Sequence, residues 1–559
     1  MKTKYFIIAL FSITLTVVSC SENFLNQPPY GSVITQEQYE KLDGALEGSM
    51  RGIYSMMYAV SDHDLFGKRS IDLSTDILSG DIALTAYSYG WYYTDESGQT
   101  AIGRTGYVWS YYYGMLRNIN KVLNMVSAQS DITKRVAEFG LPNTYNEKNE
   151  KYYNIIDEDT LATYTLLEAE LAGYYAQALA MRGYCYSNLI NLYAPTNIQL
   201  GGAWESEVVC PIYNENNLEE AQPVAVLKEA YQQVENDLTL AISYFDAFEK
   251  TNTRTSKLSV DGSVARAMLA YSYLNKAVPT LPSGQSNFEK ALKYAKEVID
   301  SQDYKIISNA NVLTTGFNNV SDNSWMWGQD VTTETAGGLA SFFGQVDIHS
   351  YSYAWAGDTK VIDQILYDSI PSFDIRKKWF NDGTKKPTFK LCPDGKFFSA
   401  KNPTSTADED IDREWLSDNV FMRIESMYLI ASEASCRLRD FDGALSYLRA
   451  ITDQRVDTAA TAVTAYADYI AKLDASKDAS TLLAQIEYNW RVELWGEGYA
   501  LQTFRRLSPE TEKGVDGRKR GGNHSVNAGT AVKATADQFT FPIPSSETSY
   551  NPHYGTKLP

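Results

Sequence analysis

Two pairs of segments set the tightest limit on how this chain folds. Ala267-Met-Leu-Ala-Tyr-Ser-Tyr-Leu is followed by Phe288-Glu-Lys-Ala-Leu-Lys-Tyr-Ala-Lys-Glu-Val-Ile. Tyr428-Leu-Ile-Ala-Ser-Glu-Ala-Ser-Cys-Arg-Leu is followed by Phe441-Asp-Gly-Ala-Leu-Ser-Tyr-Leu-Arg-Ala-Ile. Each pair joins an alanine-rich run to one carrying an aromatic residue, two polar positions, Ala-Leu, and further apolar residues three or four apart. That period is the helical one. The second runs match each other well and the first only loosely, which predicts helical hairpins at variable spacing rather than a perfect tandem array.

Helical spacing recurs along the chain. Tyr39, Leu42, Leu46, Met50, Ile53 and Met57 mark a helix over Gln36 to Tyr58, and another runs over residues 107 to 123. A third, from Thr160 to Tyr193, carries the stripe Leu171, Tyr175, Ala178, Arg182, Cys185, Leu189 and Leu192, and Pro195 stops it. Arg182 on that apolar stripe reads as a buried ion-pair partner, because an unpaired buried charge is expensive. Helices return over Val420 to Asp453 and Thr481 to Leu507. Between them, residues 61 to 106 and 301 to 419 read as irregular, rich in Gly, Ser, Asn, Asp and aromatics. A loop-rich block of that length in a helical protein is functional or disordered, and its aromatic content argues against disorder. The fold class is therefore mainly α: a tetratricopeptide-like hairpin scaffold with a large irregular, ligand-binding portion and few short strands.

The first thirty residues place this body. Lys2 and Lys4 precede an uncharged apolar run from Tyr5 to Val18, too short to span a bilayer, then Ser19 and Cys20. This is the order of a secretion signal, and a cysteine directly after the apolar core points to a lipoprotein cleaved before Cys20 and acylated there. Each buried acyl methylene adds about 0.8 kcal/mol to membrane anchoring. The organisation expected is a signal peptide over 1–19, a tether over 20–40, and a helical region over 41–300 with binding loops at 61–106. The aromatic insertion over 301–419 and a C-terminal helical region over 420–559 complete it.

The formal charge is -19, and -21 once Lys2 and Lys4 leave with the signal. Such a surface repels nucleic-acid phosphates and favours a neutral ligand. Cys185, Cys210, Cys392 and Cys436 are far apart and lack metal-ligand spacing. Cys185 and Cys436 fall inside helical apolar patterns and read as buried thiols. The cluster Arg518 to Arg520 reads as a solvated loop.

A neutral ligand with apolar faces needs aromatic plates flanked by a few polar groups. Two stretches supply them. One runs from Asp81 to Asp95 and offers Asp81, Tyr89, Trp91 and Tyr92; the other offers Trp325 and Trp327, with Tyr353 and Trp355 beside them. Catalytic motifs are missing: no GxSxG elbow, no HExxH helix, no phosphate loop. Glu493 and Glu497 read as a structural surface or ion-pair feature of their helix rather than a catalytic pair. Asp408, Asp410 and Asp412 have the opening spacing of a calcium loop, but Arg413 and Asn419 stand where its turn glycine and bidentate glutamate belong. The expectation is no cofactor and no catalytic metal, with incidental calcium the alternative to a solvated acidic loop.

Several segments, in this order, resemble the SusD/RagB family of outer-membrane lipoproteins. They are Cys20-Ser-Glu-Asn-Phe-Leu-Asn-Gln-Pro, Trp109-Ser-Tyr-Tyr-Tyr-Gly-Met-Leu-Arg-Asn-Ile-Asn-Lys-Val-Leu, and Ala176-Gln-Ala-Leu-Ala-Met-Arg-Gly-Tyr-Cys-Tyr-Ser-Asn-Leu. Arg423-Ile-Glu-Ser-Met-Tyr-Leu-Ile-Ala-Ser-Glu-Ala, Arg491-Val-Glu-Leu-Trp-Gly-Glu-Gly, Phe541-Pro-Ile-Pro and Asn551-Pro complete the set. Ala500 and Thr503 stand where the family pattern commonly has Arg and Asp, a joint loss that strands neither charge. The resemblance implies a cell-surface binding protein seated with a SusC-like TonB-dependent transporter and capturing an oligosaccharide for import. A peptide ligand, as in the RagB branch, is the second reading, and a scaffold or hydrolase without a transporter is the third.

Overall fold

The structure, a computed structural model, describes residues 44–86, 89–97, 102–129, 161–249, 256–349, 351–384, 389–397, 416–475, 477–511 and 517–555. The chain forms two units, Met1–Ser49 and Met50–Pro559. Cys20 and the acidic run at 408, 410 and 412 lie outside the described residues, as does the predicted helix before residue 44; Ala45–Met56 is helical.

The body is mainly helical. In chain order its principal helices are α1 (Lys68–Ser79), α2 (Ile102–Gln129), α3 (Leu161–Tyr193), α4 (Leu227–Phe248), α5 (Gly262–Lys276) and α6 (Pro282–Ser301). They continue with α7 (Glu425–Arg437), α8 (Phe441–Thr452), α9 (Ala460–Ala475), α10 (Ala479–Glu493) and α11 (Ala500–Thr511). Helix α3 packs against α2 and α4, α4 against α5, α5 against α6, and α7 against α8. Helix α6 then packs directly on α7, so the hairpin stack closes over the 301–419 insertion as if it were absent. Side-chain caps start these helices where the predicted runs begin: Asp261 accepts from the Val264 amide, Asp440 from Gly443 and Asp478 from Thr481.

The strands form two-stranded antiparallel ladders. β1 (Ile82–Leu84) pairs with β5 (Lys360–Ile362), β2 (Val208–Pro211) with β3 (Val224–Val226), β4 (Trp325–Gln329) with β6 (Asn419–Arg423), and β7 (Arg518–Lys519) with β8 (Ala531–Val532). The β1–β5 ladder sets Leu84 opposite Lys360 and thereby brings the loops at 85–97 and 351–357 to one place.

Three elements depart from the sequence reading. Helix α1 lies inside the stretch read as irregular. All twelve of its residues are buried although only Ile71, Leu73, Ile77 and Leu78 are apolar, so its Ser-, Thr- and Asp-rich composition reads as a loop while its polar side is covered by the rest of the fold. Lys68 and Arg69 both pair with Asp72, while Asp76 accepts from the Gly498 and Ala500 amides at 3.1 Å each. The single helix expected over 481–507 is two, α10 and α11, broken at Gly496 and Gly498. Gly498 has φ +83°, and a Cβ there would sit 2.2 Å from Asp72 Oδ1. Arg518 and Arg520 are buried rather than solvated. Arg518 pairs with Asp81 and Glu487, and Arg520 donates to the Leu78 carbonyl at 3.2 Å.

The buried charges elsewhere follow the sequence reading. Arg182 meets both Asp237 oxygens at 2.9 and 2.7 Å and Glu215 at 2.6 Å. Cys185 and Cys436 are buried free thiols. Glu493 and Glu497 anchor a dry ionic cluster. Arg423 reaches Glu493 at 2.8 Å, Glu425 at 3.0 Å and Glu497 at 2.9 Å; Arg455 and Arg376 add to Glu493, and Lys396 adds to Glu497 at 2.8 Å. Burial opposes ionisation of Glu493, but Arg455 and Arg423 outweigh it and hold the carboxyl well below the usual range. Removing one partner of such a pair costs about 3–5 kcal/mol, so the cluster locks β6 and α7 onto the end of α10.

Candidate functional site

Five large aromatic side chains are exposed among the described residues, and four of them, Tyr89, Tyr93, Tyr351 and Trp355, sit on the two loops joined by the β1–β5 ladder. Their exposures run from 39% to 63%.

Tyr89 is one plate of an ordered stack. Half-buried Trp91 is parallel to the His63 ring at 5.5 Å and 7° and to Tyr89 at 5.1 Å and 14°. Tyr353 stands edge-on to Trp91 at 4.4 Å and 81°, and its hydroxyl is hydrogen-bonded to His63 Nδ1 at 2.6 Å. These offset-stacked and T-shaped geometries suit ring quadrupoles and hold the plates in fixed orientations. Gln345 Nε2 donates to the His63 carbonyl at 2.8 Å and ties the histidine turn down as well.

The loop backbone is positioned by charge. Arg104, from the first turn of α2, donates to the Trp91 carbonyl at 2.8 Å and to Asp64 Oδ2 at 2.6 Å, and pairs with Asp95 at 2.8 Å. Burial pushes the Asp95 carboxyl up to about 6 against the pull of Arg104. On the other side Glu96 accepts from the Leu84 amide at 2.9 Å and faces His524 Nδ1 at 2.9 Å, while His524 Nε2 lies 3.1 Å from Asp363. Burial disfavours the imidazolium, but hydrogen bonds to Asp363 and Glu96 outweigh it and raise the His524 pKa.

Of the residues singled out in the sequence, Tyr89, Trp91 and Tyr353 come together, and Trp355 lies open two positions beyond Tyr353. Four others do not present themselves to a ligand. Trp325 and Trp327 are buried in β4, with Trp325 Nε1 donating to the Gly316 carbonyl at 2.8 Å and Trp327 packed on Tyr184 and Phe421. Asp81 is buried in ion pairs to Arg491 and Arg518. Tyr92 points inward beneath the Arg104 guanidinium, 4.7 Å from its ring centroid. His63 was not singled out, since an isolated histidine in Ser-Asp-His-Asp has no metal-ligand spacing to mark it. A larger hollow, about 1160 Å³, lies between residues 313–320, 330–333 and 416–418, but its lining holds no aromatic side chain.

Residues 201–555 match the SusD family, and residues 36–269 match a SusD-like family described as starch-binding, associating with outer membrane. The chain belongs to the SusD family. Its fold is similar to that of a SusD-like carbohydrate binding protein from Bacteroides vulgatus, at 20% identity and TM-score 0.64 over 91% of this chain and 96% of that one. A SusD superfamily protein from Bacteroides thetaiotaomicron aligns at 17% identity and TM-score 0.63 over 91% and 98%. NanU of B. fragilis aligns at 13% and 0.58 over 94% and 98%. No curated protein matches the sequence. Within the SusD-family chain, the motif residues Arg423, Glu425, Glu493 and Glu497 form the buried ionic framework, Arg491 pairs separately with Asp81, and none of them belongs to the exposed aromatic surface.

Proposed function

We propose that this SusD-family chain is a lipid-anchored, surface-exposed glycan-binding protein that captures an oligosaccharide for import through a SusC-like TonB-dependent transporter. The observation that carries the reading is the His63–Trp91–Tyr89–Tyr353 stack, with Tyr89 45% exposed, together with exposed Tyr351 and Trp355 on the same loop as Tyr353. Pyranose rings present apolar faces to such plates while their hydroxyls meet polar groups at the rim. The names of the similar structures and the net charge of -19, unfavourable to anions, support the same ligand class. Binding without catalysis fits the carboxylates, since Glu493 and Glu497 are salt-bridged in the interior.

Cys20 supplies the anchor and the outer membrane the location. Solubilised outer membranes carrying a tagged chain are expected to yield a β-barrel transporter on affinity purification, and a Cys20→Ala variant is expected to leave the membrane fraction. A glycan array on the purified protein is expected to light up for neutral oligosaccharides; binding of peptides alone contradicts the glycan reading.

A further inference from the structure

A second concave site lies in the helical scaffold, apart from the aromatic loops and sharing no lining residue with them. A cavity of about 370 Å³ opens between the 369–376 segment, the end of α8, and helices α9 and α10. Its walls are aromatic: Phe373 lies 5.5 Å from Tyr466 and 5.3 Å from Tyr469, centroid to centroid, and Tyr488 stands on α10 beside them. Each of the three tyrosine hydroxyls is already committed. Tyr466 donates to Asp453 at 2.6 Å, Tyr469 to Gln485 Oε1 at 2.6 Å and Tyr488 to Asp374 at 3.1 Å. Those bonds fix the ring planes and leave apolar faces, not hydroxyls, as what the rings offer.

The polar side of the cavity has donors to spare. Gln485 uses its carbonyl on Tyr469, and its amide N–H pair has no protein partner among the described residues. Arg491 spends Nε and Nη2 on Asp81, leaving Nη1 without one. The charges are balanced nearby, since Arg491 and Arg518 face Asp81 and Glu487. A free anion therefore gains little beyond what Asp81 already satisfies, and the protein's overall charge opposes it. The other charged lining groups are spent on ion pairs, Arg376 on Asp374 and Glu493, Arg455 on Glu425 and Glu493, and Glu487 on Arg518. Aromatic rings on one wall, the spare N–H groups of Gln485 and Arg491 on the other and a volume near the lower bound for ligand pockets therefore favour a small hydroxylated occupant.

We infer that this cavity is a second binding site, for one neutral sugar unit or a disaccharide, stacked on Phe373, Tyr466 and Tyr469 and hydrogen-bonded by Gln485 and Arg491. It is independent of the loop aromatics, so it serves a short product or chain end rather than the extended glycan.

The test titrates the detergent-solubilised full chain with glucose, galactose, maltose and cellobiose, following ligand saturation-transfer signals. Ala484 is exposed on α10 at the cavity wall, so Ala484→Trp fills the space without opening the core. Saturable binding of at least one probe, weakened tenfold or more by Ala484→Trp and retained in Tyr89→Ala/Trp355→Ala, is expected. Two results overturn the assignment: no saturable binding by the folded native chain, or binding unchanged in Ala484→Trp. Loss in the loop double variant alone also overturns it, and assigns the probe to the loops instead.

Discussion

Arg491 Nη2 lies 2.7 Å from Asp81 Oδ1, joining residues 410 positions apart in the sequence. Trp495 Nε1 adds a hydrogen bond to the Asp81 carbonyl at 3.0 Å, and Arg518 shares the carboxylate. The C-terminal motif thus grips the residue immediately before β1, from which the aromatic loop departs. Asp81 acts on the site through the backbone it holds.

Asp81→Ala leaves Arg491 without its carboxylate while Arg518 keeps Glu487, and is expected to cost about 1–3 kcal/mol, read as a lowered midpoint in chemical denaturation. Glycan affinity of the folded fraction is expected to stay within twofold. An unchanged midpoint with lost affinity would place Asp81 at the ligand instead.

The tryptophans separate by burial. Trp325→Ala and Trp327→Ala each remove a fully buried indole and are expected to destabilise by about 3–5 kcal/mol without an effect on binding by folded protein. Trp355, 48% exposed, is expected to change stability by no more than about 0.5 kcal/mol when replaced by alanine, while glycan affinity falls. Paired denaturation and titration curves for the three variants check the division.

Gly498→Ala forces a left-handed backbone on alanine and drives its Cβ against Asp72. The cost expected is about 1–3 kcal/mol from backbone strain alone. Gly52→Ala, where nothing lies within 4 Å of the added Cβ, is the control, expected to be neutral or stabilising. Equal melting temperatures for the two variants contradict the account of the α10–α11 break.

His524 makes stability depend on pH in a defined direction. Its folded pKa is raised by Asp363 and Glu96, which outweigh burial and the repulsion of Arg520. The contribution is fully present below the unfolded value of about 6.5 and is lost as pH rises through the raised folded value. The melting-temperature gap between the native chain and His524→Gln is therefore expected to be wider at pH 6 than at pH 9. A gap that is flat or widens with pH contradicts the Glu96–His524–Asp363 arrangement.

The hairpins were legible because each packs one face, so apolar residues recur at helical spacing and Arg182 stands out on its stripe. Helix α1 was not, since eight of its twelve residues are polar or charged and only the tertiary fold shows that they are buried. Trp325 and Trp327 misled for a related reason. A strand buried on both faces and an aromatic binding loop have the same local composition. That Trp91 and Tyr353 form one stack depends on the β1–β5 register, and no local pattern encodes that pairing. His63 joins the stack by the same long-range route.

The central claim is that the open loop aromatics bind glycan, and titration of Tyr89→Ala/Trp355→Ala with the oligosaccharide the native chain binds best tests it most directly. Trp355 is exposed and Tyr89 loses only its contacts with Trp91 and Tyr353, so the variant is expected to stay folded with a stability loss of about 1–3 kcal/mol while its affinity falls at least tenfold. A folded double variant with native affinity would contradict the account.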